Sequence, residues 1–506
     1  MNKHSKRLLA NILFISIAAG AISCGSSKNA VDTSSINNTN STSVTEETTL
    51  SPDESRRLVD DELPERNFEG KEFTILSNES FIDDIYTESD NGEVINDAIF
   101  KRNQTVSERF NTDIQVNLQD NIPDFINRTV MAGDNAFNLV THHAIEMGTI
   151  IMNDLFINWY DVPYIDFSKP WWSPSTVNDL TYGNDKALLA VGDLSLSSLS
   201  KTYCYFYDKQ GALDYKVENL YQVVNDGKWT IDYVRNLVKD MYQDLNGNSE
   251  LDGDDYYGMT QQMFSAAEAY LWAFGGKVMQ RNASGIPELV YNGEKTAAIY
   301  EKLYQLCYES DGVCVNRNFD PSTTPFGELT PHFYGALSFQ KNLTFMTSGT
   351  LDMTIDFFRD KSTEYGILPY PKYDESQKDY YTMVDGGFAA LAIPKSISDE
   401  DLEFTGIITE ALNAESFKTV YPAYYETALK TKYTYDDESV KMLDMIVNSR
   451  VFDFGFVYDA WKGLSFYYER LLYTEKSKDF ASYYAKNSAA AIQYYDELLE
   501  YFEKME

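Results

Sequence analysis

The sequence predicts an α/β fold, because short apolar stretches typical of strands alternate with longer stretches that have the period of helices. Residues 71–76 predict the first strand, and the apolar residues of 94–110 recur at helical spacing. Residues 113–118 alternate between apolar and polar, and 137–141 form a short apolar run, so both are expected to be strands. A helix between two strands forms a crossover connection, so the sheet is expected to be mainly parallel.

The same alternation continues to about residue 394 and then stops. Further strands are expected at 188–193, 202–207, 343–347, 365–371 and 386–394. A helix is expected at 231–241, and from 401 to the end the pattern is helical. About 450 residues follow the polar N-terminal region, which is enough for two domains of ordinary size.

Met1–Cys24 has the features of a bacterial lipoprotein signal. Three basic residues precede a mostly apolar run from Leu8 to Ile22, which is too short to span a bilayer comfortably. Ala21-Ile22-Ser23-Cys24 resembles the lipobox, in which the cysteine is lipidated and becomes the mature N-terminus, although Ala21 replaces the usual leucine. We therefore expect residues 1–23 to be a signal peptide and Cys24 to carry a lipid. A plain secretory signal and a retained anchor are the alternatives.

The segment after Cys24 predicts a flexible tether. From Gly25 to about Ser55 it is rich in Ser, Thr, Asn and acidic residues and has almost no large apolar side chains. Such a segment cannot bury enough surface to offset its ordering entropy, so residues 24–66 are expected to be disordered. The lipid would then hold the folded part at the extracellular face of the cell membrane.

The composition excludes nucleic acid as a partner and leaves the cysteine chemistry open. The formal net charge is −36, and such a surface repels a phosphate backbone. Cys204 lies in an apolar run and is expected to be a buried small hydrophobe, whereas Cys307 and Cys314 are near enough in sequence to pair in an oxidising compartment. The histidines do not have the spacing of a zinc site.

Several short motifs occur in an order that resembles the extracellular solute-binding proteins of carbohydrate-type ABC importers, the family that includes maltose-binding protein. They are Asn96-Asp97-Ala98-Ile99 with Arg102-Asn103, Pro170-Trp171-Trp172, Ala190-Val191-Gly192-Asp193, Trp272-Ala273-Phe274-Gly275-Gly276, Gly366-Ile367-Leu368-Pro369-Tyr370-Pro371 and Ala428-Leu429-Lys430-Thr431-Lys432-Tyr433. Each motif alone is weakly specific, but together they span nearly the whole mature chain. The resemblance implies a periplasmic-binding-protein-like type II fold, in which two α/β lobes joined by crossover strands close on a ligand in the cleft between them.

The resemblance and the strand pattern together predict how the chain divides. The first lobe is expected to contain 67–194 and 330–392, and the second to contain 195–329 and 393–506. The segments that pass between the lobes are expected at 188–193, about 343–347 and 384–393.

The resemblance also implies a function. The protein would capture a small solute, expected to be a sugar or an oligosaccharide, and deliver it to the permease subunits of an ABC transporter. No catalysis and no catalytic cofactor are expected. Two alternatives stay open: a lipid-anchored glycoside hydrolase, since 78 acidic residues supply many candidate carboxylate pairs, and a surface glycan-binding protein.

Aromatic and polar side chains near predicted strand ends are candidate ligand contacts, because aromatic faces stack on the C–H faces of sugars and carboxylates accept hydrogen bonds from sugar hydroxyls. Trp171 and Trp172 lie in a proline-flanked loop, where they either line the cleft or pack in the core. Asp193 ends a predicted strand and either contacts the ligand or caps the following turn. The candidate ligand contacts are His142, Trp171, Trp172, Asp193, Tyr270, Trp272, Asp385, Tyr424 and Trp461.

An acidic loop after the predicted helix at 231–241 resembles a calcium loop of the EF-hand or dockerin type. The candidate ligands are Asp244, Asn246, Asn248, Glu250, Asp252 and Asp255. Ser249 stands where such loops have glycine, and Asp255 replaces the longer bidentate glutamate. We expect either a structural Ca²⁺ that fixes the loop or a solvated acidic turn.

If Cys24 carries the lipid, its replacement should release the protein from the membrane. Cys24→Ala is expected to move the protein from the membrane fraction to the soluble fraction, measured by immunoblot after cell fractionation. Cys204→Ala is the matched control and should stay with the membrane. Equal membrane retention of Cys24→Ala and the unmodified protein would contradict the lipobox.

Overall fold

A four-stranded and a five-stranded β-sheet, two further two-stranded sheets and the helices around them form the part of the chain that the computed structural model describes. This part is residues 52–505 apart from 262–264, 292, 316–325, 327–332 and 433. The predicted α/β fold is confirmed. Cys24, the predicted signal peptide and the first part of the predicted tether lie outside the described residues. Within the described ranges, no helix is both long enough and apolar enough to span a membrane.

The strands follow the predicted order in the first half of the chain. They are β1 (Lys71–Ser77), β2 (Thr112–Leu118), β3 (Leu139–His143), β4 (Tyr203–Asp208), β5 (Tyr257–Thr260), β6 (Met279–Arg281), β7 (Pro287–Leu289), β8 (Val313–Cys314), β9 (Thr344–Thr350), β10 (Tyr365–Leu368), β11 (Thr382–Met383), β12 (Ala389–Ala392) and β13 (Arg450–Val451). The segment 188–193, predicted to be a strand, forms only isolated bridges at Ala190 and Gly192.

Helices cover both sheets and make up most of the C-terminal region. The α-helices are α1 (Pro52–Arg57), α2 (Ile82–Ile85), α3 (Val94–Phe110), α4 (Ile122–Ala132), α5 (Ala144–Gly148), α6 (Pro174–Asn178), α7 (Ser197–Ser200), α8 (Lys209–Asp214), α9 (Leu220–Asn225), α10 (Ile231–Val238), α11 (Ser265–Ala273), α12 (Glu294–Tyr308), α13 (Tyr334–Gln340), α14 (Met353–Asp356), α15 (Asp399–Glu415), α16 (Asp437–Asn448), α17 (Phe454–Val457), α18 (Tyr467–Glu469), α19 (Phe480–Asn487) and α20 (Ala489–Lys504). Short 3₁₀ helices occur at Ile151–Asn153, Trp159–Asp161 and Leu464–Phe466, and π-helical segments occur at Ser416–Val420, Ala423–Lys432 and Arg470–Glu475.

The first sheet has the order β12-β3-β1-β2. β1 is parallel to β2 and β3, whereas β12 returns antiparallel to β3. Successive residues of a strand point to opposite faces. Phe73 and Ile75 are fully buried on one face in a cluster with Phe404 of α15, and Leu76 is buried on the other with Ile126 of α4. Helices therefore cover this sheet on both sides.

The second sheet has the order β10-β4-β9-β5-β8. β4 is antiparallel to β9 and β10, and β5 is parallel to β8 and β9. β9 and β10 come from 330–392, a range that the sequence analysis assigned to the first lobe. They pair with β4, however, which comes from the range assigned to the second lobe. All six residues of β4 are buried, so both of its edges need hydrogen-bonded neighbours, and β9 and β10 supply them.

Trp171 and Trp172 are core residues, so the cleft alternative is wrong for Trp171, whose side chain is fully buried. Both indole N–H groups donate to the Glu410 carboxylate, at 2.8 Å each. Burial raises the pKa of Glu410 to about 8, and the two indole hydrogen bonds offset part of that rise. Gly192 is required beside this cluster, since a Cβ there would lie 2.2 Å from Asn413 Oδ1 and 2.9 Å from the Trp172 ring.

The predicted disordered tether ends earlier than residue 66. Arg56 of α1 stacks on Phe417 and Tyr421, with its guanidinium carbon 5.1 and 4.5 Å from the two ring centroids. The Arg109 guanidinium donates two hydrogen bonds to the Asp61 carboxylate and, although burial acts in the opposite direction, lowers the pKa of Asp61. These contacts attach the chain to the folded body from α1 onward. The sequence analysis did not predict them because the segment has few apolar residues.

Cys204, Cys307 and Cys314 are buried. Cys204 is fully buried in β4, as predicted. Cys307 lies in α12 and Cys314 in β8, and no disulfide joins them in the structure. Burial raises the pKa of Cys204 and of Cys307, which keeps both thiols protonated.

The Glu410 carboxylate is expected to be a major source of stability for the first sheet. Glu410→Ala leaves two buried indole N–H groups without their acceptor and should lower the free energy of unfolding by about 3 kcal/mol. Urea denaturation followed by circular dichroism measures the change. Glu403→Ala, on the same helix but half-exposed, is the control and should change it by less than about 0.5 kcal/mol. Equal stability of the two variants would contradict this assignment.

Candidate functional site

Residues 200–203 run from the first sheet to the second and are hydrogen-bonded on both sides. On one side, the N–H groups of 351 and 352 donate to carbonyls of this segment at 3.0 and 2.8 Å. On the other side, Asp385 N–H donates to Lys201 O at 2.9 Å. β11 pairs with β13 next to it, so four chain segments lie side by side between the sheets. We call these four segments the crossover.

A cavity of about 280 Å³ lies beside the crossover, and we call it the inter-sheet cavity. Asp83 and Asp84, which follow β1 of the first sheet, line it. Asp352 and Asp356, which follow β9 of the second sheet, line it as well. The carboxyl ends of strands from two different sheets therefore meet at one cavity, and ligands of α/β proteins bind at such ends.

Lys201 lies at the centre of the polar groups around the crossover. Its ammonium is 3.5 Å from Asp352 Oδ2. Burial disfavours the charged ammonium, but Asp352, Asp385 and Asp84 outweigh burial and raise the pKa of Lys201 above its ordinary value. One cation is thus shared among three carboxylates from three separate parts of the chain.

Asp385, a predicted contact, is held beside Lys201 by fixed hydrogen bonds. The Tyr203 hydroxyl donates to Asp385 Oδ2 at 3.0 Å, and Gly387 N–H donates to Asp385 Oδ1 at 2.8 Å. A Cβ at Gly387 would lie 2.8 Å from the same oxygen, so the turn around this carboxylate requires glycine. Asp385 is half-buried and remains accessible to a ligand.

The two histidines at the end of β3 have different roles. His142 is buried, its Nε2 lies 2.8 Å from Glu146 Oε2, and its ring packs edge-on against Phe81. This hydrogen bond lowers the pKa of Glu146. His143 accepts a hydrogen bond from Glu146 N–H at the start of α5, and burial lowers its pKa despite the opposing charge of Asp385. At neutral pH, His143 is therefore a neutral imidazole near Asp385, whereas His142 is buried and holds Glu146.

Trp461 is a half-exposed aromatic side chain beside His143. Its side chain is 47% exposed, and its ring stacks on Phe466 at a centroid distance of 5.2 Å and an interplanar angle of 24°. The His143 ring lies 5.6 Å from it. Ala460 and Trp461 both have positive φ, at 52° and 59°, a conformation that costs free energy for residues with a side chain and often occurs at functional sites. The strained turn presents a flat aromatic face next to His143.

Two predicted aromatic contacts lie in the core instead. Trp272 is buried and its indole N–H donates to Asp453 Oδ2 at 2.9 Å. Tyr270 is fully buried, and its hydroxyl contacts Gln261 at 3.0 Å and the Tyr205 hydroxyl. Both prefer the core because their polar atoms find fixed partners there.

Asp193 and Trp172 line a second cavity, of about 190 Å³, rather than the inter-sheet cavity. Arg56 and Arg450 also line it. Burial raises the pKa of Asp193 to about 7, while the two arginines act in the opposite direction. Neither predicted contact is therefore brought together with Asp385 and Trp461.

Lys201, Asp84 and Asp352 are site residues that the sequence analysis did not find. Asp84 and Asp352 follow β1 and β9, so the rule that ligands bind at the carboxyl ends of strands was the available signal. This signal was missed for Asp352 because the predicted strand at 343–347 ends three residues before β9 does. Lys201 carries no sequence signal, since its position depends on backbone pairing with two distant segments.

The acidic loop at 244–255 is closed by its own hydrogen bonds. Asp244 accepts from Gly247 N–H at 2.6 Å and from Ser249 N–H at 2.8 Å. Ser249 has a φ of 63°, so it adopts the left-handed conformation that glycine has in calcium loops. Across the described ranges, this loop included, no group of three or more His, Cys, Asp or Glu is arranged to hold a metal ion. Calcium binding by the loop stays a prediction.

Comparison with known proteins gives limited information. No protein-family model and no curated protein matches the chain. Among solved structures, the chain is similar to the ABC substrate-binding protein Lmo0181 from Listeria monocytogenes in complex with cycloalternan, with 12% identity, a TM-score of 0.49, and coverage of 86% of this chain and 100% of that one. At this identity and TM-score, the similarity does not decide the function.

Calcium should stabilise the protein if the loop binds it, because a ligand that binds only the folded state stabilises by mass action. We expect 1 mM Ca²⁺ to raise the melting temperature by about 2 °C or more, and Mg²⁺ to substitute poorly because it prefers a tight octahedron. Asp244→Ala should abolish the response, whereas Asp226→Ala, an exposed acidic control, should keep it. Equal melting temperatures in calcium and in chelator would show that the loop is a solvated turn.

Proposed function

We propose that this protein is a solute-binding protein that captures a carbohydrate between its two sheets. It is held by a lipid on Cys24 at the extracellular face of the membrane and passes the solute to an ABC permease. One observation carries the proposal: the carboxyl ends of β1 and β9, from different sheets, meet at a polar cavity beside the crossover. The order of sequence motifs described above supports the same role.

The crossover suits a protein that opens and closes around a ligand. The segments between the sheets are short and are joined to each other mainly by backbone hydrogen bonds. A few residues at the ends of such elements can absorb the changes in φ and ψ that a hinge motion needs. Groups that the two sheets bring to the cavity, such as Asp84 and Asp352, would then contact a ligand together only when the sheets approach each other.

The side chains of the cavity and the neighbouring group of Asp385, His143 and Trp461, which do not line it, together suit a carbohydrate. Sugar rings have C–H-rich faces, and the half-exposed ring of Trp461 offers a flat surface for one of them. Sugar hydroxyls need hydrogen-bond acceptors and donors, and Asp385, Asp352, Lys201 and neutral His143 supply both kinds. Hydrogen bonds to charged groups are stronger than neutral ones, so these side chains also fix the orientation of the ring.

The experiment is a thermal-shift screen of mono- and oligosaccharides, followed by calorimetry of those that raise the melting temperature. We expect a dissociation constant between nanomolar and micromolar, about −12 to −8 kcal/mol, with no product formed. Chromatography of the recovered sugar separates a binding protein from a glycoside hydrolase. Hydrolysis products, or no binding across the panel, would contradict the proposal.

Trp461→Ala tests the stacking surface directly. Loss of the ring should weaken saccharide binding about tenfold, about 1.4 kcal/mol, because the sugar face loses its aromatic partner. Calorimetry measures the change, and the melting temperature without ligand should stay near that of the unmodified protein, since the side chain is half-exposed. Tyr164→Ala, which removes a ring that is 40% exposed elsewhere, is the matched control. Equal weakening in both variants would remove Trp461 from the site.

A further inference from the structure

The second cavity is lined by opposite charges that do not contact each other. Asp193 lines it from the end of the segment 188–193, and Arg450 lines it from β13. Among the described residues, no hydrogen-bond donor reaches the Asp193 carboxylate, and neither Arg450 nor Arg56 forms a direct ion pair with it. A charge removed from water is stabilised by a directly bonded partner. The two charges are therefore available to a ligand that enters between them.

Arg450 is held in place by backbone carbonyls rather than by a carboxylate. Its Nε donates to Val447 O at 3.0 Å, and its Nη1 donates to Ser198 O at 3.1 Å. In the described part of the chain, Nη2 donates no hydrogen bond and no carboxylate pairs with this guanidinium. Arg56, in contrast, lies 3.9 Å from Glu426 Oε1. Arg450 is thus a fixed cation with N–H groups that can bind a carboxylate.

Asp193 is suited to a compact cation. Burial raises its pKa to about 7 although Arg450 and Arg56 act in the opposite direction. A cation in direct contact would stabilise the ionised carboxylate more than these two arginines do, because the interaction between charges falls with distance. An ammonium is a point charge with three donors, so it can bind a single carboxylate.

The size and the remaining walls of the second cavity limit what can bind between the two charges. Its volume of about 190 Å³ corresponds to the liquid volume of about six water molecules. Only a small molecule fits this space. The wall also contains apolar groups, namely Pro170, Trp172, Pro174, Phe417 and Tyr421. These groups suit a short side chain between the charged ends of a ligand.

We propose that the second cavity is a binding site for a small α-amino acid. The carboxylate of the amino acid accepts hydrogen bonds from Arg450, its ammonium donates to Asp193, and its side chain contacts the apolar wall. An α-amino acid carries both charges within a molecule of this size. The site goes beyond the proposed function, because neither Asp193 nor Arg450 lines the inter-sheet cavity.

The test is calorimetry of the full chain in detergent at pH 8, with L-alanine and L-serine as probes. Propionate and ethylamine are the matched controls, since each is L-alanine without one of its two charged groups. We expect an amino acid to bind at one site with a dissociation constant of about 1 mM or less, and each control to bind at least tenfold more weakly. No binding of either amino acid, or equal binding of propionate or ethylamine, would overturn the proposal.

Variants of the two charged residues test which groups hold the amino acid. Asp193→Asn and Arg450→Gln should each weaken binding of the amino acid at least tenfold. Asp113→Asn and Arg128→Gln, which change exposed charges elsewhere, should leave it unchanged. Asp193→Asn should also keep the melting temperature of the unmodified protein, because it removes a charge that has no direct partner. Unchanged affinity in Asp193→Asn would overturn the assignment of the ammonium to this carboxylate.

The pH dependence of binding gives a readout that a merely structural role of Asp193 would not change. Because the pKa of Asp193 is about 7, the carboxyl group is mostly protonated at pH 6 and mostly ionised at pH 8. Arg450, Arg56 and Tyr421 face it and keep their charge states over this range, since the pKa of Tyr421 is raised. We expect the affinity for the amino acid to fall at least threefold from pH 8 to pH 6. Equal affinity at the two pH values would overturn the pairing of the ammonium with Asp193.

Discussion

The backbone hydrogen bonds on both sides of residues 200–203 determine the positions of most polar groups in the site. These bonds join segments that are more than 140 residues apart in the chain, at 351–352 and at 385. Because Lys201 is fixed between them, its ammonium is placed near Asp352 and Asp385 without any need for a local sequence motif. The same segment joins the two sheets, and a few residues at the ends of such elements can absorb the changes in φ and ψ of a hinge motion.

The buried carboxylates of Glu410 and Asp453 have fixed hydrogen-bond donors in the core. Glu410 accepts hydrogen bonds from two indole N–H groups. Asp453 accepts hydrogen bonds from the indole N–H of Trp272 and from backbone N–H groups. The Tyr424 hydroxyl beside the cavity has no partner in the described part of the chain, and the same holds for core groups such as the Tyr291 hydroxyl and Trp159 Nε1. The absence of a partner therefore does not by itself separate the site from the core.

The pattern of strands and helices allowed the fold class to be predicted, but not the pairing of distant strands. β1 to β4 lie where the sequence indicated, since hydrophobic period is a local property. β9 and β10 pair with β4 although they are distant from it in the sequence. A local pattern does not show which distant strands lie at the two edges of a buried strand.

The candidate site was predicted in part, for a related reason. Asp385 and Trp461 lie beside Lys201 and His143, whereas Trp171, Trp272 and Tyr270 are in the core. Trp and Tyr are suited to both places, since each has an apolar face and a polar atom. Which place a ring takes depends on whether a buried acceptor such as Glu410 is available, and no local pattern shows that.

The most direct test of the account is whether the two sheets approach each other when a saccharide binds. Spin labels at Asp113→Cys in β2 and Asp214→Cys in α8 report one distance between the sheets by pulsed electron paramagnetic resonance. Both positions are exposed, and the native cysteines of the described chain are buried, so labelling can be directed to them. The account predicts that a saturating saccharide shifts the distance distribution to shorter values. The same distribution with and without a saccharide whose binding calorimetry has established would contradict it.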